Sequence, residues 1–284
     1  MRILFLSHYA WPHVGGVEKH VERIANRLQR IGHRVTIISE GDIKFPHIKF
    51  LGLLYIWFWL FKNRKLIINA DIVHIHDVFI WYFPFRLIYP KKKVYLTIHG
   101  GHGKWPIPLK DKLLVKLAVS LSTGVICVGD FIPKYFGIKA DCVIYGGVES
   151  NEKRKTKKEK LIIFLGRLEK ETGVIQFLER LKVKGQGLRV EFVGDGSLRN
   201  ICKKYGIVHG FCNPTPFLQK ASICFAGGYL SALEALEYGC ELWIGASTPI
   251  KKDYWKCFPY KKGDKLPSWK DVSKVYEDLY LHNS

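Results

Sequence analysis

Apolar runs of strand length alternate along the first half of the chain with longer segments of helical period. The runs of strand length are RILFLS (2–7), RVTIIS (34–39), DIVHIH (71–76), KVYLTIH (93–99), GVICVG (124–129) and DCVIYG (141–146). Residues 17–30 place their apolar side chains on one face of a helix, and Gly32 ends that helix. Because strands and helices that alternate in this way form parallel sheets, the first half predicts a doubly wound α/β domain.

The same alternation starts again after a charged segment, ESNEKRKTKKEK at 149–160, which is typical of an exposed linker. Strands are predicted at LIIFLG (161–166), RVEFVG (189–194) and SICFAG (222–227), and a helix at 230–238 that ends at Gly239. Residues 269–282 predict a terminal helix that packs back on the first domain. We therefore expect two Rossmann-like domains, at 1–150 and 151–284.

The charge balance favours anionic partners without choosing among them. The formal net charge is +20, and the excess of Lys and Arg is spread over both halves of the 284 residues. A positive field of this kind attracts nucleic acids, acidic lipid surfaces and phosphorylated substrates alike. The sequence holds no recognisable motif that reads nucleic acid, so we expect no specific nucleic-acid partner and keep such binding as a minor alternative.

The cysteines predict neither a disulfide framework nor a zinc site. There are seven, an odd number, and no two stand in a CxxC pair. We expect them to be reduced in a cytoplasmic compartment. The first residues, MRILFLSHYAW, read as a first strand and not as a signal peptide.

The longest apolar run is FLGLLYIWFWLF at 50–61. It is too short to cross a bilayer, because a spanning helix needs about 20 apolar residues. Its aromatic side chains, with Lys62, Arg64 and Lys65 after it, suit a segment at a lipid interface in which Trp57 and Trp59 make the contact. A buried helix of the first domain is the alternative, and the sequence leaves both open.

Candidate binding residues follow the predicted strands, because ligands of open parallel sheets bind beyond the carboxyl ends of the strands. Gly15 and Gly16 follow the first strand and precede a helix, whose N-terminus favours a phosphate. A simple tight turn is the alternative explanation for this pair.

Histidines end two strands of the first half and predict a polar site there. DIVHIHD ends in His74, His76 and Asp77, and VYLTIHGGHG ends in His99 and His102. From their positions along the strand, we expect at least one of His74 and His76 to serve in packing. Because none of these residues has a histidine or carboxylate partner at the helical spacing of a zinc hydrolase, we expect no metal.

Basic residues follow the first strand of the second half. Arg167 and Lys170 in FLGRLEKETG can neutralise a diphosphate, Arg167 through a planar fork of donors and Lys170 as a point charge. A solvated basic loop is the alternative. The turn FVGDGSL brings Gly194 and Gly196 after the next strand, where backbone groups can face a base or a ribose.

The segment GGYLSALEALEYG places Gly227 and Gly228 before a helix that carries Glu234. The glutamate is flanked by apolar residues and needs a partner to offset its desolvation. Ribose hydroxyls or a backbone amide would serve as that partner.

Taken together, these segments resemble glycosyltransferase family 4, the retaining enzymes of the GT-B type. The resemblance rests on the order of GGVE (15–18), DIVHIHD (71–77), TIHG (97–100), VIYGGVE (143–149), LGRLEKETG (165–173), VEFVGDGSL (190–198) and ALEALEYG (232–239). It implies an α/β GT-B fold in which two Rossmann-like domains face each other across a cleft. The N-terminal domain (1–150) would then bind the acceptor, and the C-terminal domain (151–284) the nucleotide-sugar.

The resemblance also implies roles for individual residues. The pair Gly15 and Gly16 would lie under the donor phosphates or beside the acceptor, and His99 would contact the transferred sugar. Arg167 would hold the diphosphate with Lys170, Glu234 would bind the ribose, and no metal or other cofactor would be needed. The implied partners are a UDP- or GDP-sugar and a saccharide or lipid-linked acceptor, with peripheral contact at the cytoplasmic face of a membrane.

The chain departs from the family pattern at two positions. Ala226 stands where the family usually has the first of two glutamates, as in a subgroup with small residues there, and Thr172 stands where a lysine is expected. Lys170 is then a shifted substitute for that lysine. These departures motivate the alternative of a non-catalytic sugar-nucleotide-binding or scaffold protein.

Overall fold

The computed structural model describes residues 1–8, 15–48, 50–100, 105–149, 157–185 and 187–282. The chain forms two compact units, unit 1 with Met1–Ile144 and Trp269–Ser284, and unit 2 with Tyr145–Ser268. The expected domain boundary after residue 150, and most of the linker around it, lies outside the described residues. No helix in the described ranges is long and apolar enough to cross a bilayer.

Strands and helices alternate through unit 1. In chain order they are β1 (Arg2–Ser7), α1 (Gly16–Arg30), β2 (Arg34–Ile38), α2 (Glu40–Ile43), α3 (Leu51–Lys62), α4 (Lys65–Asn69), β3 (Ile72–His76), α5 (Phe79–Ile88), β4 (Lys93–Ile98), α6 (Leu109–Ser120), β5 (Gly124–Val128), α7 (Phe131–Phe136) and β6 (Cys142–Ile144). The six strands form one parallel sheet in the order β2-β1-β3-β4-β5-β6. The strand order reverses between β1 and β3, which makes the carboxyl ends of these two strands the expected ligand edge.

Unit 2 repeats the same architecture with fewer elements. They are β7 (Glu159–Leu165), α8 (Val174–Lys184), β8 (Arg189–Val193), α9 (Arg199–Cys202), β9 (Ile207–Gly210), α10 (Thr215–Lys220), β10 (Ala221–Ala226), α11 (Tyr229–Glu237), β11 (Glu241–Trp243) and α12 (Pro249–Lys256). The parallel sheet runs in the order β11-β10-β7-β8-β9, so its strand order reverses between β7 and β10. Buried aromatic rings of Phe164, Phe177, Phe192 and Phe225 pack together in the core on one face of this sheet.

The last helix, α13 (Trp269–His282), belongs to unit 1. Its buried side chains include Trp269, Tyr276 and Tyr280. Two of them reach histidines of unit 1, because the Tyr276 hydroxyl lies 2.8 Å from His20 Nε2 and the Tyr280 hydroxyl 2.6 Å from His74 Nδ1. The helix is therefore fixed in unit 1 by buried polar contacts as well as by apolar packing.

The loops after β7 and β8 are held together through their backbones. The amide of Gly166 donates to the carbonyl of Val193, and the amide of Leu168 donates to the carbonyl of Asp195. A Cβ added to Gly194 would lie 1.8 Å from the carbonyl oxygen of Gly166, and Gly194 has a φ of +151°. A side chain at this position is thus excluded by both space and backbone conformation.

We expect Gly194→Ala to lower the free energy of unfolding of unit 2 by about 2–4 kcal/mol, because the added methyl group must displace the Gly166 carbonyl. Gly187→Ala is the matched control, since Gly187 also has a positive φ (+74°) but open space around the site of its Cβ. The control should cost only about 1 kcal/mol. Urea unfolding, monitored by hydrogen exchange of the β7 and β8 amides, measures the loss of free energy of unfolding in each variant. Equal losses in the two variants would contradict the packing explanation.

Candidate functional site

The carboxyl ends of β3 and β4 carry a hydrogen-bonded group of polar residues. His76 Nδ1 lies 3.1 Å from His99 Nε2, and the His99 amide donates to Asp77 Oδ1 at 2.9 Å. Asp77 has a positive φ of 63°, which turns the chain sharply after β3. The structure thus brings His76, Asp77 and His99 together at the ligand edge of unit 1, whereas His102 lies outside the described residues.

A second layer of this group is buried and links the sheet to α13. His74 lies between two hydroxyls, those of Tyr280 and Thr97, at 2.6 and 2.7 Å from its ring nitrogens. The Tyr276 hydroxyl lies 3.0 Å from Thr97 Oγ1. His74 is fully buried and both of its ring nitrogens have partners, so its role is structural.

Burial keeps the imidazoles of this group neutral. It lowers the pKa of His20 and of His74 to about 3 and holds the pKa values of His76 and His99 well below the ordinary value. The same burial raises the pKa of Asp77 to about 7, against the effect of the His99 amide. Because His99 Nε2 is paired with His76, the neutral ring of His99 has Nδ1 left for one hydrogen bond with a hydroxyl group.

The N-terminus of α1 holds an acidic side chain close to the glycine pair. Gly15 precedes the helix in an extended conformation, and a Cβ added there would lie 2.2 Å from Oε2 of Glu18, whose side chain is buried. The carboxylate is favourable at a helix N-terminus, and it repels a second anion at the same place. Gly16 has open space around the position of a Cβ. These contacts place a carboxylate beside the glycine pair.

In unit 2 the strand order reverses between β7 and β10, and glycines end both strands. A Cβ added to Gly166 would lie 3.3 Å from the Cα of Gly227, so the two turns are in close contact. Gly227 and Gly228 lead into α11, which has no acidic residue in its first turn. This helix N-terminus therefore differs from that of α1 in its charge.

Arg167 follows Gly166 directly and is placed at this edge by β7. Its side chain is 55% exposed and lies 3.6 Å from Glu171 in an ion pair. Exposed pairs of this kind contribute little to stability, so the guanidinium can exchange its partner for a ligand at small cost. Lys170 is exposed in the short 3-10 turn that follows.

Thr172 occupies the position where the family pattern has lysine, and its hydroxyl is turned into the protein. The hydroxyl lies 2.6 Å from the carbonyl oxygen of Arg167 and 2.8 Å from that of Glu169, and can donate to one of them at a time. The side chain is buried. Thr172 thus fixes the loop that carries Arg167 and presents no charge itself.

Gly194 and Gly196 are explained by packing between the loops after β7 and β8. A Cβ at Gly196 would lie 2.6 Å from the carbonyl oxygen of Leu168, as one at Gly194 would meet that of Gly166. Glu169 closes the same contact, because its carboxylate accepts from the amide and the hydroxyl of Ser197. Both glycines are required by this backbone approach whether or not a ligand is bound.

Glu234 lies on the accessible side of α11. It is half-buried, as is Ser231 one turn earlier, while Ala232, Leu233 and Ala235 are buried against the sheet. The carboxylate therefore does not bear the full desolvation expected from its apolar neighbours in the sequence. Its position about one and a half turns into α11 suits a contact with a ribose beyond a phosphate at the helix N-terminus.

One cation at this edge was missed by the sequence analysis. Lys251 in α12 donates a hydrogen bond to the carbonyl oxygen of Gly227 at 3.0 Å. Burial, and then the neighbouring Arg167, lowers its pKa to about 8. The sequence signals only the helix, since Thr248 and Pro249 are a typical helix start and Tyr254 and Trp255 follow Lys251 at helical spacing.

Among the described residues, no group of three or more His, Cys, Asp or Glu side chains is arranged to hold a metal ion. The cysteines in those ranges are all free thiols. Burial raises the pKa of several of them, with Cys127 at about 12 and Cys202 at about 11, so these thiols are protonated at neutral pH.

Comparison with known proteins gives a match in the first half of the chain. Residues 14–151 match the family model of Glycosyltransferase Family 4. Over 217 residues the chain is 27% identical to a protein of Methanocaldococcus jannaschii that is named an uncharacterized glycosyltransferase. That alignment covers 70% of this chain and 61% of the relative, so the chain spans less than two thirds of the relative's length.

Solved structures match both units. The catalytic domain of starch synthase IV from Arabidopsis thaliana, bound to ADP and acarbose, has a TM-score of 0.65 at 12% identity and covers 99% of each chain. Anabaena HepE, in complex with UDP and glucose, has a TM-score of 0.65 at 15% identity over 99% of this chain and 90% of that one. The predicted GT-B fold with two parallel-sheet α/β domains is confirmed.

Acidification should weaken unit 1. Between pH 6.5 and 3 the unfolded chain binds protons on His20 and His74 that the folded chain does not, so the free energy of unfolding falls as the pH falls. Each of the two contributes about 1.4 kcal/mol per pH unit in this window. Asp77 acts in the opposite direction between about pH 4 and 7, because the folded chain retains its proton there, but it is a single group.

Hydrogen exchange of the β3 amides at pH 7.5 and 5.5 measures this effect. We expect lower protection at pH 5.5, with the pH difference reduced by about 1 kcal/mol in His74→Gln. His282→Gln is the control, since His282 is exposed near the end of α13. Protection that is the same at both pH values would contradict the neutral, buried state of these histidines.

Proposed function

We propose that this chain is a glycosyltransferase of the family 4 type that transfers a sugar from a nucleotide-diphosphate sugar to a saccharide or lipid-linked acceptor. The match over residues 14–151 supports the family, and the solved structures support the GT-B fold. Because ADP, or UDP with glucose, is bound in those two similar structures, a nucleotide-sugar donor is the natural substrate class to test.

The observation that carries the donor proposal is the position of Arg167. It lies at the β7–β10 reversal of unit 2, next to the Gly227–Gly228 turn and the N-terminus of α11. A guanidinium and a helix N-terminus at one sheet edge together favour a diphosphate. Glu234, on the accessible side of α11, is then the proposed ribose ligand.

The acceptor and the transferred sugar are proposed to contact unit 1. His99 lies at the ligand edge of that sheet with a neutral imidazole, which suits a sugar hydroxyl. Glu18 beside Gly15 disfavours a phosphate at the N-terminus of α1, so we assign the glycine pair to a neutral sugar.

The proposed reaction retains the configuration of the sugar and uses no metal cofactor. Arg167 stabilises the charge that develops on the leaving diphosphate, and stabilisation of developing charge is usually the main contribution to catalysis of such a reaction. The departing phosphate oxygen accepts the proton of the attacking acceptor hydroxyl on the same face of the sugar. No protein nucleophile is required, in keeping with the small Ala226 at the end of β10.

A second candidate is a sugar-nucleotide-binding protein without turnover. It is favoured by Thr172, whose hydroxyl is occupied by backbone carbonyls and supplies no cation. Both candidates bind the nucleotide, so consumption of the nucleotide-sugar separates them.

Thermal-shift measurements against UDP-, GDP- and ADP-sugars test the donor proposal. We expect one donor to stabilise the protein, and Arg167→Ala to weaken its binding about 10- to 100-fold, because a charge-assisted contact is lost. Glu234→Gln should weaken binding of the nucleotide-sugar without changing binding of inorganic diphosphate.

Lys184→Ala is the control for loss of a positive charge, since Lys184 is exposed at the end of α8 in the same unit. It should bind as the parent does. The proposal fails if no nucleotide-sugar stabilises the protein, or if Arg167→Ala and Lys184→Ala bind the donor equally.

We further propose that α3 rests on an anionic membrane surface. One side of the helix packs into unit 1 through Ile56 and Leu60, and the indole of Trp57 donates to the carbonyl of Ile80. The other side exposes large apolar side chains, namely Leu51, Leu54, Tyr55, Phe58 and Phe61. The packed side agrees with the buried helix that the sequence left open, and the exposed apolar side supports the proposed lipid contact. Trp57 and Trp59, which the sequence analysis assigned to that contact, are half-buried.

Charge at the end of α3 supports a lipid surface as the partner. Lys62, Arg64 and Lys65 are exposed directly after the apolar side, and the Arg64 guanidinium lies over the Phe61 ring at 5.1 Å. Apolar side chains next to basic ones bind interfaces that carry acidic lipids.

Vesicle sedimentation tests this contact. Leu54→Asp with Phe58→Asp should reduce binding to vesicles of phosphatidylglycerol and phosphatidylcholine at least about 10-fold, because each buried apolar side chain contributes about 1.5–3 kcal/mol. Val183→Asp is the control, as Val183 is 77% exposed in unit 2. Equal binding of the double variant and the control would exclude α3 as the lipid contact.

A further inference from the structure

Lys251 is held at the ligand edge of unit 2 by the start of α12. The Thr248 side chain accepts the Lys251 amide at 3.2 Å, which caps the helix. Tyr254 and Trp255 follow at three and four residues, and their ring centroids lie 3.9 and 5.0 Å from the ammonium. These contacts place the amine and restrict its movement without neutralising its charge.

The ammonium lies at the reversal of strand order in the sheet. It donates to the carbonyl oxygen of Gly227, the residue that follows β10 and contacts Gly166 at the end of β7. Its partners are therefore a backbone carbonyl and two aromatic rings. Among the described residues it forms no ion pair within hydrogen-bonding reach.

A half-buried ammonium without a carboxylate partner is costly unless an anion joins it. The fall of its pKa to about 8 reflects this cost, with burial as the first cause and Arg167 as the second. Glu171 acts in the opposite direction but pairs with Arg167. An ammonium has three donors, and the carbonyl of Gly227 takes one of them.

The other positions that could supply a second cation do not meet the same conditions. The hydroxyl of Thr172 is taken up by the carbonyls of Arg167 and Glu169. Lys170 is exposed, and within the part of the chain that the structure describes it has no contact that would hold its amine at the edge. Lys251 is fixed by packing close enough to Arg167 for their charges to interact.

We infer that Lys251 contacts the diphosphate of the donor and forms with Arg167 the cation pair of this site. The inference rests on the proposed function and deepens it, since it places the second cation on α12 instead of the loop after β7. The bound anion would take up the donors that the Gly227 carbonyl leaves unused.

The competing explanation is that Lys251 only fastens α12 to the turn before α11. In that case the amine matters for stability and not for phosphate. A nucleoside diphosphate and its nucleoside separate the two explanations, because they share the base and the ribose and differ in the diphosphate.

Calorimetric titration of the full chain with UDP, GDP and ADP, and with the corresponding nucleosides, is the test. For the nucleotide that the parent binds, Lys251→Met should lower the affinity for the nucleoside diphosphate at least about 10-fold. Its affinity for the nucleoside should stay within about twofold of the parent's. Lys251→Arg keeps the charge and should restore affinity to within about fivefold of the parent. Lys252→Met is the matched control, because Lys252 is the exposed neighbour on the same helix.

The pH dependence of diphosphate affinity also separates the two explanations, because a lysine that only holds α12 in place would not produce one. The affinity of the parent for the diphosphate should fall between about pH 7 and 9 as Lys251, with its pKa of about 8, loses its proton, and Lys251→Arg should not show this fall. Arg167, Glu171 and Tyr254 face the amine as well, but burial raises the pKa of Tyr254 further from this window and all three are present in both proteins.

The outcomes distinguish this inference from the proposed function. If the parent binds none of the three diphosphates, the donor proposal fails and the inference with it. If the parent binds one and Lys251→Met binds it equally well, the inference alone is wrong. Equal weakening of diphosphate and nucleoside in Lys251→Met would also overturn it, in favour of the fastening role.

Discussion

The close contact between the ends of β7 and β10 is the constraint on which the candidate donor site depends. The turns that follow these two neighbouring strands pack tightly, because a Cβ on Gly166 would lie 3.3 Å from the Cα of Gly227, and the φ of +145° at Gly166 is one that side chains rarely adopt. The loop with Arg167 then starts on one side of the contact and α11 on the other. Backbone packing thus determines where charged groups can meet.

The two units use the same architecture with opposite local charge. At the start of α1 a buried carboxylate lies against Gly15, and at the start of α11 an ammonium lies against Gly227. A helix N-terminus attracts anions in both cases, so the neighbouring side chain decides what can bind there. One repeated fold can in this way place side chains of opposite charge at corresponding helix starts.

Much of the fold follows from the sequence, because buried parallel strands are long apolar runs with a helix between them. The strands β9 and β11 had no such signal, since Ile207–Gly210 and Glu241–Trp243 are short and partly exposed. The sequence placed residues that directly follow strands, such as His99 and Arg167, at the edges of the sheets. Lys251 was not placed there, because it reaches the edge from a helix 24 residues after Gly227 in the sequence, and only packing brings the two together.

The assignment of α13 to unit 1 has a consequence for the order of events during synthesis. Residues 145–268 form a continuous unit and can fold as soon as they have left the ribosome, whereas the hydroxyl partners of His20 and His74 are made only afterwards. The unit that starts first is therefore completed last. Until Tyr276 and Tyr280 have been synthesised, His20 Nε2 and His74 Nδ1 lack these hydroxyl partners, so unit 1 gains its full stability only after residues 269–282 have been made.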